Sequence, residues 1–128
     1  MHRACGLYAH VTWHTYRRMR TIRKYDVPAI VEAVLEAGKR TGVRVHAQAV
    51  LSDHVHVLIA YLPTVTISSF VRHAKSESSR RVNVARKDAQ RLQWSRGYDV
   101  GSLSRDHVGA TRTYIARQSQ RHPELVPV

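Results

Sequence analysis

Residues 43–59 read VRVHAQAVLSDHVHVLI. Val43, Val45, Ala47, Ala49 and Leu51 alternate with polar partners, and after Ser52-Asp53 the alternation resumes at Val55, Val57 and Ile59. Successive side chains of a strand point to opposite faces, so a period of two marks a strand with one buried face. The stretch predicts two strands joined by a tight turn at Ser52-Asp53. The histidines at 54 and 56 then project from one face, opposite the face that buries Val55 and Val57.

The flanking segments complete the pattern. Upstream, Leu7, Ala9, Val11 and Trp13 alternate with Tyr8, His10, Thr12 and His14, which predicts a half-buried first strand. A basic, irregular segment from Tyr16 to Lys24 follows. Asp26 is then placed to cap a helix with Pro28 in its first turn, where Val27, Ile30, Val31, Val34 and Leu35 fall at helical spacing until Gly38 and Gly42 weaken it. Downstream, Ile67, Phe70, Val71, Ala74 and Val82 predict a second amphipathic helix, with Arg72, Lys75, Arg80 and Arg81 on its polar face. Residues 87–94 read as a connection. Arg96, Tyr98 and Val100 suit a short strand ahead of a loop at Gly101–Ser104, and a last helix is expected from about Asp106 to Arg121. The tail His122–Val128 holds two of the four prolines and is expected to trail away as a short arm.

The order β-α-β-β-α-β-α predicts an α+β, ferredoxin-like (split βαβ) fold. Its antiparallel sheet would carry helices on one face and leave the other free for function, with the C-terminal helix added last. At 128 residues the chain has the size of one domain, expected to span 1–128. A hydrophobic fraction of 43% is close to the globular average, which argues against a disordered chain.

Charge narrows the partner. Twenty-one Lys and Arg against nine Asp and Glu give a formal charge of +12, a self-repulsion that a polyanion would relieve. Many of these cations are arginines, whose planar fork matches phosphate, so nucleic acid is the expected partner. The lone Cys5 cannot form an internal disulfide and fits a reduced compartment, so a cytoplasmic location is expected. Apolar runs are too short for a membrane span.

Two sets of residues carry chemistry. His54 and His56, two apart on a strand, could chelate a metal; in a chain with nine histidines, a solvated or core-satisfied pair is an equal alternative. In the last helix Tyr114 and Gln118 are four apart, hence neighbours on one face, either converging on a site or packing as ordinary helix residues. His10, His14, His46, His73 and His107 read as structural or exposed, and Trp13 and Trp94 as core.

The ordered set resembles a known family. It comprises Trp13-His14-Thr15-Tyr16-Arg17-Arg18, the block DHVHVLI from Asp53 to Ile59, KSESSRR from Lys75 to Arg81, Trp94-Ser95-Arg96-Gly97-Tyr98, and Tyr114-Ile115-Ala116-Arg117-Gln118. In this order the motifs resemble the HUH single-tyrosine transposases of the IS-two-hundred-like insertion sequences and their domesticated REP-associated relatives. The resemblance implies His54 and His56 as the metal-binding pair, Gln118 as third ligand and Tyr114 as the nucleophile. It further implies a homodimer in which each site can combine one subunit's histidines with the other's tyrosine helix, and single-stranded DNA with hairpin ends as substrate.

Such a site would cleave DNA through a 5′-phosphotyrosine, with a divalent cation neutralising charge on the phosphoryl oxygens. Two imidazoles and an amide oxygen suit Mg²⁺ or Mn²⁺ better than a closed zinc site. Arg17 and Arg18 after the first strand, and Arg72, Lys75, Arg80 and Arg81 on the second helix, are expected to grip the DNA. A REP-associated enzyme that processes genomic palindromes, a decayed element, and a non-catalytic RRM-like binding module remain alternatives. The RRM reading is weakened because the third strand carries histidines where base-stacking aromatics would be expected.

Overall fold

The computed structural model describes residues 6–128; Cys5 lies outside the described residues. Strand β1 spans Leu7–His14, β2 Arg44–Val50, β3 His54–Tyr61 and β4 Asp99–Leu103. They form one antiparallel sheet in the order β2-β3-β1-β4, the ferredoxin-like arrangement that the alternating segments predict. Helix α1 spans Val27–Thr41 and α2 Ile67–Ala85. The two pack on each other and on the inner face of the sheet, around Ala9, Val11 and Trp13 of β1 and Val55, Val57 and Ile59 of β3. Ile30, Val34, Phe70 and Ala74 of the helices are fully buried against them. The larger of these side chains each contribute on the order of 1.5–3 kcal/mol, which is why the alternation fixes the strand register so firmly. Trp13 and Trp94 meet edge to face in this core, at a ring-centroid distance of 6.2 Å.

Helix α1 runs through Gly38 and ends at Gly42, which adopts the left-handed conformation (φ 78°) that a side chain would resist. Gly38 has a different reason to be glycine: a Cβ there would lie 2.6 Å from the Val43 carbonyl oxygen, so the helix could not lie this close to the chain entering β2.

Several boundaries differ from the sequence reading. Asp26 precedes α1 but does not cap it with its side chain. Its carboxylate turns back to accept the Arg23 backbone N–H at 2.7 Å and pairs with Arg86 at 2.6 Å, because the buried Arg86 guanidinium needs a counter-charge more than the exposed helix end needs a cap. The fourth strand begins at Asp99 and runs through Gly101 and Ser102, positions expected to form a loop, because Thr12, Val11, His10, Ala9 and Tyr8 of β1 pair with Asp99 through Leu103 in turn. Lys75 draws the preceding segment in instead, donating to the Ser95 and Gly97 carbonyls at 2.7 and 2.9 Å.

The last helix is not continuous. A 3-10 turn at Arg105–His107 leads into α3, Val108–Ala116; Arg117 (φ −95°, ψ 4°) breaks the helix, and α4 covers Gln118–Arg121. The tail is no free arm either. The Ser52 backbone N–H donates to the Leu125 carbonyl at 2.7 Å and the Lys24 N–H to the Val128 carbonyl at 3.2 Å, so residues 122–128 fold back onto the β2–β3 turn. Nor is the outer face of the sheet left bare. Helix α3 crosses β2 and β3 there, which explains why Leu58, on the outer face by alternation, is fully buried together with Ile115. Among the described residues, no helix is long and apolar enough to cross a membrane.

Candidate active site

The site lies on the outer face, where β3 begins. Alternation along β3 buries Val55 and Val57 in the core and leaves His54 and His56 projecting the other way. Their Nε2 atoms stand 3.0 Å apart. Two imidazole nitrogens this close could address one cation together.

The opposite nitrogen of each ring is already engaged. His54 Nδ1 lies 2.6 Å from Asp53 Oδ1, and His56 Nδ1 lies 2.9 Å from His10 Nε2. A histidine that donates its Nδ1 proton to a neighbour presents a free lone pair at Nε2, the tautomer that a metal requires. Burial pushes His56 down to about 3, with the nearby His54, His10 and His122 adding to the effect, so its ring is neutral near pH 7 and competent as a ligand. Burial likewise lowers His10.

Tyr114 faces this cluster from α3. Its ring centroid lies 6.0 Å from that of His56, at 85°, and 6.0 Å from that of His10, at 70°. The ring is 41% exposed, open to an incoming substrate, and the Arg121 guanidinium carbon sits 5.7 Å from its centroid. Gln118, one turn further on, is buried, and its Nε2 donates to the Tyr114 carbonyl at 3.1 Å. That bond bridges the break at Arg117 and leaves the amide oxygen as the atom a cation would take. Among the described residues, no three His, Cys, Asp or Glu side chains gather as a metal cluster.

The expected DNA-contacting cations separate into two groups. Arg17 and Arg18 are exposed on the turn that leaves β1, at the same end of the sheet as His14 and His54, which pair across β1 and β3. The α2 residues lie on the other side of the sheet. Arg72 is exposed there, but Arg80 pairs with Glu77, Arg81 with Glu36 at 2.6 Å and Glu77 at 3.0 Å, and Lys75 is spent on backbone carbonyls. The acidic partners Glu36 and Glu77, on α1 and on α2 itself, explain why this face is less basic than its arginines suggest.

Sequence reading passed over His10 and Asp53. Asp53 was legible as a carboxylate beside a candidate ligand. His10 was legible only as an outward position of β1, because its partner depends on the register of two strands separated by more than forty residues.

A split β-α-β sheet bearing a histidine pair, with a tyrosine helix laid across it, defines the fold and the candidate site, and the comparisons with known proteins give the family and support the fold. The chain belongs to the IS200-like transposase family, whose model matches residues 4–118. It is 23% identical to the ISDra2 transposase TnpA of Deinococcus radiodurans, over 88% of this chain and 84% of that protein. A crystal structure from Deinococcus radiodurans R1, provisionally described as a transposase, superposes with a TM-score of 0.68 at 22% identity, over 91% of this chain and 93% of that one. The REP-associated tyrosine transposase bound to a REP hairpin superposes with a TM-score of 0.70 at 14% identity, over 95% of this chain and 73% of that one. These two likenesses confirm the fold.

Proposed function

We propose that the chain is a metal-dependent single-strand DNA transposase that cuts and rejoins DNA at hairpin-flanked element ends through a 5′-phosphotyrosine. The observation that carries this reading is the His54–His56 pair, with Nε2 atoms 3.0 Å apart and both Nδ1 atoms in contact with a neighbour, and the Tyr114 ring edge-on to His56 at 6.0 Å. His54, His56 and the Gln118 amide oxygen would hold Mg²⁺ or Mn²⁺. The bound cation would supply charge neutralisation at the non-bridging oxygens of the scissile phosphate.

The chain's own residues then account for the rest of the reaction. The Tyr114 hydroxyl oxygen attacks phosphorus, a new tyrosyl–phosphate bond forms, and the bond to the 3′ oxygen breaks. The tyrosine proton leaves through solvent and the departing 3′ oxygen takes one up, so no net oxidation or hydrolysis occurs. Because the phosphodiester is exchanged rather than hydrolysed, a 3′-hydroxyl can reverse the step and reseal a strand without a nucleotide cofactor. Arg121, against the Tyr114 ring, adds positive charge where the phosphate would arrive.

A homodimer in the cytoplasm belongs to the same reading, supported by the family. A REP-associated role, processing palindromes without self-mobilisation, is favoured as second reading by the likeness to the hairpin-bound REP transposase.

The deciding experiment incubates the protein with single-stranded oligonucleotides carrying the palindromes that flank its own locus, with Mg²⁺ or Mn²⁺. A denaturation-resistant adduct formed by wild type, lost with EDTA and absent from Tyr114→Phe, is the expected result. Tight binding with no adduct under any metal would reduce the chain to a binding module.

A further inference from the structure

Just beyond β1 the chain makes a turn that the site geometry does not use. Arg17 and Arg18 both adopt left-handed backbone angles, φ 56° and 53°, which side chains bearing a Cβ resist. The turn is held by the fully buried Thr15, whose hydroxyl donates to the Met19 carbonyl at 2.6 Å, and by the Tyr16 N–H donating to the Gln93 carbonyl at 2.8 Å. Its effect is to display two large apolar side chains, Tyr16 at 42% and Met19 at 50% exposure, beside two exposed arginines.

Tyr16 and Met19 line a notch of about 260 Å³ together with Thr21, Gln90, Arg91 and Gln93. The volume falls below the roughly 300–1,000 Å³ of sites for drug-sized ligands, so it suits one flat ring rather than a cofactor. The Arg17 guanidinium carbon lies 5.2 Å from the Tyr16 ring centroid, and the Arg91 guanidinium is pinned by the Asn83 carbonyl at 2.8 Å and by the Asp88 carbonyl. The notch thus combines an aromatic face, a thioether, a fixed guanidinium plane and two primary amides. From Arg17 to Lys24 every charged residue is cationic, which favours a polyanion over an apolar protein segment. The turn that carries the notch is tied to the start of β3: the Thr15 N–H donates to the carbonyl of Asp53, whose side chain meets His54.

We propose that this notch takes an unpaired base of the single-stranded DNA adjacent to the scissile phosphate, stacking it on Tyr16 and Met19 while Arg17 and Arg18 hold the flanking phosphates. The proposal rests on the transposase reading for the identity of the strand, but binding tests it separately from catalysis. A strand whose phosphate lies over His54 and His56 would bring a neighbouring nucleotide to the notch by running along the end of the sheet where β1 leaves. Stacking platforms of this kind accept any base, because every base has a π-face.

The test is fluorescence anisotropy with a single-stranded oligonucleotide from the element end, scanned with one abasic site at a time, for wild type, Tyr16→Ala, Tyr16→Phe and Met19→Ala. Tyr25→Ala, which removes a 92% exposed tyrosine outside the notch, serves as control, and circular dichroism checks folding. In wild type, one abasic position weakens binding roughly 5- to 100-fold, the range of losing one base–aromatic stack. Tyr16→Ala loses a similar factor and becomes indifferent to that abasic site, Met19→Ala loses less, and Tyr16→Phe and Tyr25→Ala behave as wild type. Unchanged affinity in Tyr16→Ala, or undiminished sensitivity to the abasic site, overturns the proposal. If wild type forms the tyrosine adduct and this coupling is absent, the notch assignment fails alone. If the coupling is present and no adduct forms, the notch stands and the catalytic reading fails.

Discussion

His10 Nε2 stands 2.9 Å from His56 Nδ1, although the strand register sets His10 opposite Leu58 and His56 opposite Thr12. The two histidines are diagonal neighbours on one face of an antiparallel pair, a separation that a ring can span. When His10 Nε2 accepts in this contact, the proton of His56 sits on Nδ1 and its Nε2 is free for a cation.

His10→Ala is therefore expected to weaken Mn²⁺ binding by about 10- to 100-fold, the usual effect of losing an outer-shell partner. His10→Gln, whose amide oxygen can still accept from Nδ1, should recover part of the loss. Calorimetric titration with Mn²⁺ measures both, and an unchanged affinity in the alanine variant would show that His56 is oriented by packing alone.

Asp53 performs the same service for His54, at 2.6 Å and with a full charge. Asp53→Asn keeps an acceptor but removes the charge, so its Mn²⁺ affinity should fall between wild type and Asp53→Ala, which is expected to lose about 10- to 100-fold. Nitrogen-15 NMR of the histidine rings should show the Nδ1-protonated tautomer of His54 in wild type and a mixture in Asp53→Ala. Identical tautomers in the two proteins would rule out the orienting role.

The metal-free protein should lose stability in acid. His56 is held down to about 3 in the fold, against an ordinary value of about 6.5 when unfolded. Between these two values the unfolded chain binds the proton and the folded chain does not, so the full contribution is present above pH 6.5 and is lost as pH falls towards 3. The slope from one such group is at most about 1.4 kcal/mol per pH unit. Urea unfolding with chelator present, repeated from pH 7 to pH 4, should show a shallower slope in His56→Gln than in wild type. Parallel curves would place the acid sensitivity elsewhere.

Asp26 and Arg86 form the most buried ion pair among the described residues, with 8% and 3% of their side chains exposed. Removing one partner strands the other, so Asp26→Ala should destabilise the fold by about 3–5 kcal/mol. Thermal unfolding measures this, and a loss below about 1 kcal/mol, the range of a surface pair, would contradict it. Arg80→Ala, which breaks an exposed pair with Glu77, is the matching control.

Much of this was legible in the chain because periodicity is a local property. Alternation at Leu7–Trp13 and across 43–59, and helical spacing at Val27–Leu35 and Ile67–Val82, mark β1, β2, β3, α1 and α2 in their correct order. The weak points were those where a distant partner decides. Asp26 has the composition of a cap but serves Arg86, sixty residues away. The strand after Trp94 starts later than its residues suggest because pairing with β1 selects its start. The tail has the proline content of a loose arm, yet Ser52 and Lys24 offer backbone donors that draw it in.

By itself the sequence determined the first three strands, the two inner helices and a shared face for His54 and His56, since each follows from which side of a strand or helix a residue must occupy. Only the tertiary structure decided what surrounds those histidines. It set the register that brings His10 to His56, the turn that puts Asp53 on His54, and the crossing of α3 that brings Tyr114 to His10 and His56. It also separated the exposed Arg17 and Arg18 near the site from Arg80 and Arg81, which α1 and α2 occupy with glutamates. These are relations between side chains far apart in the chain, and no local pattern encodes a distance across the fold.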